Sequence, residues 1–381
     1  MTLGFTLAED QRLLSHTVRQ FAEKELAPLA ARHDELEEFP AGLVPKLGAA
    51  GLTGVIVPEE LGGAGAGNMG LVLMLEQVGR VDAATAFTLQ GHYHVVRYLL
   101  TAASRAQQER HLVPLARGTG LGAMALTEPE AGSDAAAIRT VARPADGGWA
   151  LDGGKCFITN AGVASTYVVI ARTAPGGRRG EGISAFVVEA GTPGLVIGPR
   201  HRKLGVRASL TQEIRLEGCR VGGEALLGQA GQAYRTLTRS LGLDRLANAA
   251  TSIGLAQGAL EHGIRYVAER QAFGRRVVEF QGIRWQLAEL ATQVEAARLL
   301  VYQAAWLADH GTPDLGKVAM AKLAANEAVM RVTTDVVQLH GGHGYMREHP
   351  VERFMRDARV FGIGGGTTHV LKNLIAQGLL R

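Results

Sequence analysis

The spacing of apolar residues changes twice along this chain of 381 residues, and that change limits the fold more than any other feature. From residue 231 onward, Ala, Leu and Val recur every three or four positions, which predicts helices over 231–270, 281–310, 313–340 and 367–379. Long helices with such apolar stripes are typical of a four-helix bundle. The first 118 residues show the same spacing in shorter segments, among them 68–79 and 82–101.

The segment between these helical regions has a different pattern. Short β-branched runs bounded by Gly or Pro recur in it, including Thr166–Ala171, Ile183–Glu189 and Gly194–Ile197, and they predict the strands of a β-barrel or sandwich. Because strands and helices do not alternate, a doubly wound fold is excluded. We therefore predict a multidomain α+β fold with an N-terminal α-helical domain (1–118), a middle β-barrel domain (119–222) and a C-terminal four-helix-bundle domain (223–381).

Charge and hydropathy narrow the classes of function. The 40 basic and 36 acidic side chains give a net charge of +4 that is dispersed along the chain, so we expect no nucleic-acid partner. The longest stretch without a charged residue, 156–171, is too short and too polar for a membrane span. The first ten residues lack the basic start of a secretory peptide, and two cysteines, Cys156 and Cys219, fit a reduced, cytoplasmic protein, with a single disulfide left open.

Two segments match patterns typical of binding sites, but their surroundings in the sequence argue against such sites. Residues 65–70 fit the pattern G-x-G-x-x-G, but no βαβ unit surrounds them, so we predict a loop before a helix. His340, His343 and His349 are close in sequence, but the glycines between them break any common helix face, and we predict no metal site.

Four separated segments have compositions that suit a flat ligand with phosphate groups: 125–134, 155–160, 270–275 with Gln281, and 338–345. Glycine, hydroxyl and backbone N–H groups in the first can surround the edge of a heteroaromatic ring. The second places an aromatic side chain two positions before a hydroxyl. Glycines in the last permit a diphosphate to approach the backbone, and Arg270 could pair with it. Taken singly, each segment is equally compatible with a turn, a strand or a helix end.

Together, the motifs Thr-Glu-Pro-x-Ala-Gly-Ser-Asp, Lys-x-Phe-Ile-Thr-Asn, Arg-x-Ala-Phe-Gly and Gln-x-x-Gly-Gly-x-Gly-Tyr resemble those of the acyl-CoA dehydrogenase family, over nearly the whole chain. The resemblance implies FAD held between domains and between subunits, a homo-oligomer, specifically a tetramer, and an electron-transferring flavoprotein as the electron acceptor. The residues that it places against the cofactor of the same subunit are Met124, Leu126, Thr127, Gly132, Ser133, Phe157 and Thr159. The residues that it places toward the FAD of a neighbouring subunit are Arg270, Phe273, Gln281, Gln338, Gly341, Gly342, Thr367 and His369. His369 stands where the family usually has Gln or Glu.

The catalytic base is where this sequence departs from the family. The usual base is a Glu two residues before the Thr of the terminal motif, and that position is Gly365 here. A minority, including the isovaleryl and long-chain branches, takes a Glu from the first bundle helix, twenty-six residues before Arg270, and that position is Asp244. The resemblance therefore implies Asp244 as the base, Gly365 as a backbone donor to the thioester carbonyl, and Ser133, Asp244 and Arg245 beside the substrate. Because Asp is one methylene shorter than Glu, three interpretations stay open: a closer backbone, a bulkier or branched substrate, or other flavin chemistry.

The reaction that this resemblance implies is FAD-dependent conversion of an acyl-CoA to its trans-2-enoyl form. A carboxylate takes the α-proton, and the β-hydrogen leaves as hydride to flavin N5. One alternative is a related flavoenzyme that acts on a carrier-protein-bound acyl group or uses O₂ as an oxidase. A non-catalytic or DNA-associated relative, suggested only by the sequence pI near 9.2, is the third hypothesis.

Overall fold

The structure, a computed structural model, describes residues 6–175 and 180–380. Residues 1–5, on which the expectation of no secretory peptide partly rests, lie outside the described residues. Within the described ranges, no helix combines the length and the apolar character that crossing a membrane requires. Cys156 and Cys219 are both buried free thiols, so the disulfide that the sequence left open is not formed.

The N-terminal part is helical. Its elements are α1 (Glu9–Phe21), a π-helical turn (Ala22–Leu26), α2 (Ala27–Leu36), α3 (Leu43–Ala49), α4 (Gly67–Gly79), α5 (Ala83–Ala102), α6 (Arg105–Gln107), a second π-helical turn (Gln108–Leu112) and α7 (Val113–Ala116). The predicted helices 68–79 and 82–101 are confirmed to within one residue. Residues 67–70 of the glycine motif form the first turn of α4, so the predicted loop there is shorter than expected. Asp82 caps α5 because its carboxylate accepts a hydrogen bond from the Ala84 N–H.

The middle part is a sheet. Its strands are β1 (Gly122–Ala125), β2 (Val141–Ala145), β3 (Gly148–Thr159), β4 (Thr166–Arg172), β5 (Ile183–Glu189), β6 (Leu195–Arg200), β7 (Thr211–Gly222) and β8 (Leu226–Leu227). Six of the seven residues of β4 are buried, which explains its continuous apolar run.

The strand order is β6-β7-β3-β2-β4-β5-β8, with β1 paired in parallel to β4. The prediction of a β domain is confirmed, but no pairing between β6 and β8 closes the sheet into a barrel in the described ranges. A closed barrel needs its first and last strands to pair with each other, and β8, with two residues, is too short an edge to pair along the six residues of β6.

The C-terminal part is again helical. It consists of α8 (Ala233–Glu269), a short hairpin of β9 (Gln271–Ala272) and β10 (Arg275–Arg276), α9 (Gln281–Asp309), α10 (Leu315–His340), α11 (Val351–Ala358) and α12 (Thr368–Leu379). The four helices predicted from the sequence are confirmed to within two residues at each end. The largest apolar cluster contains residues of α4, α5, α8 and α10, so the two helical parts share one core.

Candidate active site

The loop that follows β1 is held against β3 by a buried ion pair. Lys155 Nζ on β3 donates to Glu128 Oε1 at 2.7 Å and to the Leu126 carbonyl at 3.1 Å. Burial lowers the pKa of Lys155 to about 8, and the Glu128 carboxylate opposes that shift. The Thr127 carbonyl accepts a hydrogen bond from the Cys156 N–H at 2.9 Å. These contacts fix the backbone of the predicted cofactor loop, from Leu126 through Glu128.

A bulge in β3 turns an aromatic side chain outward. The pairing of β3 with β7 shifts register between Lys155 and Ile158, and Phe157 in the bulge has a φ of 57°. Phe157 is 66% exposed, and its ring lies 5.2 Å from that of His201. Because a bulge re-aims the side chain that it carries, Phe157 offers a free apolar ring at the edge of the sheet.

The predicted cofactor segments also carry hydroxyls that have no protein partner. The side chains of Thr127, Ser133 and Thr159 make no hydrogen bond within residues 6–175 and 180–380. A Cβ added at Gly132 would meet no atom within 4 Å. The three hydroxyls of these predicted residues are therefore available to a ligand. Met124 and Leu126, predicted in the same segments, are partly buried.

Helix α5 passes directly over the end of β3. A Cβ at Gly91 would come within 2.8 Å of Thr159 Cγ2, so no larger residue fits at this point without a shift of the helix or the strand. Asn160 Nδ2 donates to the carbonyls of Thr88 at 3.0 Å and Gly122 at 3.1 Å. These contacts set the distance between α5 and the Phe157 bulge.

Asp244 lies on α8 and is 2% exposed. Its Oδ1 accepts a hydrogen bond from Arg97 Nε of α5 at 2.6 Å, while its Oδ2 is buried and makes no hydrogen bond within normal length. The buried Ser240 hydroxyl, one turn earlier on α8, has no other partner in the described residues and also favours the ionised form of the Asp244 carboxyl. Burial raises the pKa of the Asp244 carboxyl, and the positive charge of Arg97 and the nearby His94 oppose that shift. The structure thus places a buried carboxylate with one free oxygen between α5 and α8.

The next residue along α8 joins this carboxylate to the glycine loop before α12. Arg245 Nε donates to the Gly365 carbonyl at 3.1 Å. Lys322 on α10 donates from Nζ to the carbonyls of Gly364 at 2.8 Å and Gly366 at 2.6 Å. Burial lowers the pKa of Lys322 to about 7, and the Arg245 charge lowers it further. Arg245, the residue after Asp244, thus joins α8 to Gly365, although 120 residues separate the two.

A second set of predicted residues lies at the far end of α8. Arg270 ends the helix and is exposed, and Phe273, in the turn between β9 and β10, is 94% exposed with a φ of 54°. Gln281 begins α9 and is also exposed. The Phe273 ring has an edge contact with Phe280, with the ring centres 6.1 Å apart. Phe273 and the half-buried Phe280 thus form an aromatic pair at the surface of this end of the bundle.

The end of α10 adjoins this surface through Tyr266. The Tyr266 ring stacks on His340 at 4.1 Å, and its carbonyl accepts the Arg270 N–H at 2.8 Å. Gln338, Gly341 and Gly342 are exposed beside it. Two other predicted residues begin α12, where Thr367 caps the helix and His369 is exposed.

The predicted residues thus fall into two groups. We call Met124, Leu126, Thr127, Gly132, Ser133, Phe157, Thr159, Asp244, Arg245 and Gly365 the inner group, because α5 links its two parts, lying against Thr159 at Gly91 and bonding Asp244 through Arg97. The outer group consists of Arg270, Phe273, Gln281, Gln338, Gly341 and Gly342. In the described part of the chain, no hydrogen bond or ring contact joins a member of one group to a member of the other.

Sequence reasoning missed two residues of the inner group's surroundings, Arg97 and Lys322. Arg97 had a usable signal, because Gln90, His94 and Arg97 recur at positions i, i+4 and i+7 of α5, which places three polar side chains on one face of the helix. Lys322 gave no such signal, since it is a single cation within an alanine-rich segment.

Three family models match consecutive parts of the chain: the acyl-CoA dehydrogenase N-terminal domain over 8–119, the middle domain over 123–219 and the C-terminal domain over 233–380. The chain belongs to the acyl-CoA dehydrogenase family. The short-chain-specific acyl-CoA dehydrogenase of Clostridium acetobutylicum is 40% identical over 380 residues, with 100% of each chain covered.

Solved structures agree with this assignment over the full length. The butyryl-CoA dehydrogenase of Megasphaera elsdenii matches with a TM-score of 0.97 and 37% identity, covering 100% of both chains. A structure described as the electron transferring flavoprotein of Acidaminococcus fermentans matches with a TM-score of 0.98 and 39% identity, again covering 100% of both chains. The three-domain fold, the enzyme class and the cofactor predicted from the sequence are confirmed: the chain is an FAD-dependent oxidoreductase that dehydrogenates an acyl-CoA.

The residues present fit this cofactor. The exposed Phe157 ring suits one face of a flat heteroaromatic system, and the free hydroxyls of Thr127 and Thr159 suit its polar edge. The Arg270 guanidinium makes no ion pair in the described residues and suits a diphosphate. These polar side chains are therefore free of protein partners in the described residues and, like the Phe157 ring, chemically suited to FAD.

Proposed function

We propose that Asp244 is the base that removes the α-proton of the acyl thioester. The observation that carries this proposal is its free, buried Oδ2. Glu128, an acid of the loop after β1, is occupied by Lys155 and by the backbone N–H groups of Arg139 and Thr140. Gly365, at the position of the family's usual base, has no carboxylate. Asp244, by contrast, is a buried acid with an oxygen left to accept a proton.

The side chains around Asp244 prepare it for that role. Bound FAD supplies the acceptor for the hydride that leaves the β-carbon. Burial makes the Asp244 carboxylate a stronger base than an exposed Asp, while Arg97 favours its ionised form. Arg245 and Lys322 hold the carbonyls of the loop from Gly364 to Gly366, which supports the proposal that the Gly365 N–H donates to the thioester carbonyl. Ser133 and Arg245 are proposed to lie beside the rest of the substrate.

We further propose that the two groups of residues serve two cofactors. In this arrangement the inner group holds the flavin of its own subunit, and the outer group, with Thr367 and His369, reaches the FAD of a neighbouring subunit in a homotetramer. The exposure of Phe273 supports this, because a partner subunit with its cofactor would cover the ring. An electron-transferring flavoprotein is the proposed acceptor and the cytoplasm the proposed location. Light scattering on the FAD-loaded protein measures the subunit number directly.

The base assignment is tested by Asp244→Asn in the FAD-loaded enzyme. We expect retained FAD, but a rate of anaerobic flavin bleaching by acyl-CoA that falls by roughly 100- to 10,000-fold, the usual contribution of a general base. Exchange of the substrate α-proton with solvent should fall in parallel. Asp335→Asn, which removes the surface partner of Arg331 on α10, is the matched control and should bleach normally. Bleaching of the Asp244 variant at the wild-type rate would refute the assignment.

A further inference from the structure

One face of α5 carries three polar side chains, and one of them bonds to α8. We call Gln90, His94, Arg97 and Asp244 the α5–α8 polar cluster. The first three lie on one face of α5, and Arg97 touches Asp244 of α8. Gln90 is 3% exposed, Arg97 8% and Asp244 2%. A pocket that accepts an unsubstituted hydrocarbon chain is lined by apolar side chains, so this composition is unexpected beside the proposed base.

Three atoms of the cluster are buried without a hydrogen-bond partner: Gln90 Oε1, Arg97 Nη2 and Asp244 Oδ2. Arginine and carboxylate commonly form two parallel hydrogen bonds, but here only the bond from Nε to Oδ1 is made. The second donor and the second acceptor of the pair are both left free. Because buried polar atoms are almost always satisfied, the unmade bond indicates that a ligand group belongs beside Arg97 Nη2.

We propose that the acyl group of the substrate carries a carboxylate and that Arg97 binds it through Nη2. This inference rests on the proposed role of Asp244. A free guanidinium N–H is a charge-assisted donor, so an anionic oxygen satisfies it better than a neutral one. A hydrocarbon chain in the same place would leave Nη2 buried and unpaired, which is costly.

The geometry also limits the length of the acyl group. Arg97 Nη2 and Asp244 Oδ2 belong to one ion pair, so the substrate carboxylate must lie only a few bonds from the α-carbon. This favours acyl groups of four or five carbons, such as succinyl and glutaryl. In the reaction the α-proton passes to Asp244, the β-hydride passes to FAD, a carbon–carbon double bond forms, and the bound carboxylate is unchanged. Arg97 Nε, bonded to Asp244 Oδ1, favours the ionised carboxylate before the proton is transferred.

The experiment compares two matched pairs of substrates on the FAD-loaded enzyme: succinyl-CoA with butyryl-CoA, and glutaryl-CoA with pentanoyl-CoA. In each pair a carboxylate replaces a methyl group. We expect kcat/KM for flavin bleaching to favour the acidic member of at least one pair by roughly 10- to 100-fold, the contribution of one hydrogen bond to a charged group. Arg97→Met should abolish this preference and Arg97→Lys should reduce it. Arg143→Met, which removes a surface ion pair with Asp152, should leave it unchanged.

A binding measurement separates this inference from the proposed function. On the FAD-loaded Asp244→Asn variant, calorimetric Kd values should still favour the acidic member, because Arg97 is intact. Equal or weaker binding of the acidic members would overturn the inference. It would also be overturned if Arg97→Met slowed both members of a pair equally, since Arg97 would then only position Asp244.

Bleaching by butyryl-CoA and pentanoyl-CoA alone would contradict the inference and leave the proposed function standing. If no acyl-CoA bleaches the flavin, the proposed function fails, and the Kd values still decide whether Arg97 selects a carboxylate.

Discussion

Asp244 combines burial, one strong hydrogen bond and one free oxygen, and its proton affinity follows from that combination. Burial disfavours the charged form, so the pKa of the carboxyl is raised above the ordinary value of about 3.9. Arg97 and His94 act in the opposite direction. A base must be ionised to accept a proton, so the activity should be lost as the pH falls through the raised pKa.

The pH profile of flavin bleaching tests this effect at the level of single residues. We expect kcat/KM to rise with pH through an apparent pKa above that of a free Asp. Replacement of Arg97 by Met should move this limb to higher pH, because a cation that favours the ionised form is removed. Asp357→Asn is the control: burial raises the pKa of Asp357 to about 7, but it lies on α11 and accepts a hydrogen bond from the Val206 N–H. If Asp357→Asn shifted the rising part of the pH profile and Arg97→Met did not, Asp244 would not be the titrating base.

Among the elements, α8 depends on a close crossing with α4. A Cβ at Gly258 of α8 would come within 2.0 Å of the Arg80 carbonyl, just past the end of α4, and one at Gly254 within 2.1 Å of the Glu76 carbonyl. Only glycine allows the backbones to approach this closely. The crossing places α8, and therefore Asp244, at a fixed depth in the shared core.

Gly258→Ala should disrupt that crossing. We expect a loss of about 1–3 kcal/mol of stability, the usual cost of inserting a methyl group where no space exists, seen as a lower midpoint of thermal unfolding by circular dichroism. Gly282→Ala on the exposed first turn of α9 is the matched control, because an added Cβ there meets nothing within 4 Å. That variant should be neutral or more stable, since Ala favours a helix over Gly. An unchanged midpoint for Gly258→Ala would show that the crossing can relax.

The elements also show what the sequence alone could establish. Regular spacing of Ala, Leu and Val placed α8, α9, α10 and α12 correctly, because each helix buries its own stripe. The short helix α11 was missed, since eight residues hold too few apolar positions for a period to be visible. The partner of Asp244 could not be predicted either: Arg97 is 147 residues away in sequence, and only the packing of α5 on α8 joins them.

At the scale of the whole molecule, α5 connects the sheet to the helical core. It touches β3 where Gly91 meets Thr159, and it touches α8 where Arg97 meets Asp244. Six residues of helix separate these two contacts, which corresponds to about 9 Å along the axis. The position of the base relative to the Phe157 bulge is therefore set by one rigid helix. The sequence motifs identified the family, but the spacing between Asp244 and the Phe157 bulge depends on how α5 packs in the folded protein.

The most direct test of the account is the distance from the Asp244 carboxylate to the substrate α-carbon in a crystal structure of the FAD-loaded enzyme with a bound acyl-CoA. We predict that Oδ2 lies within about 3–3.5 Å of that carbon, the separation expected for reacting atoms held in place. The account would be contradicted if Asp244 lay beyond that distance and another ionisable side chain lay closer to the α-carbon.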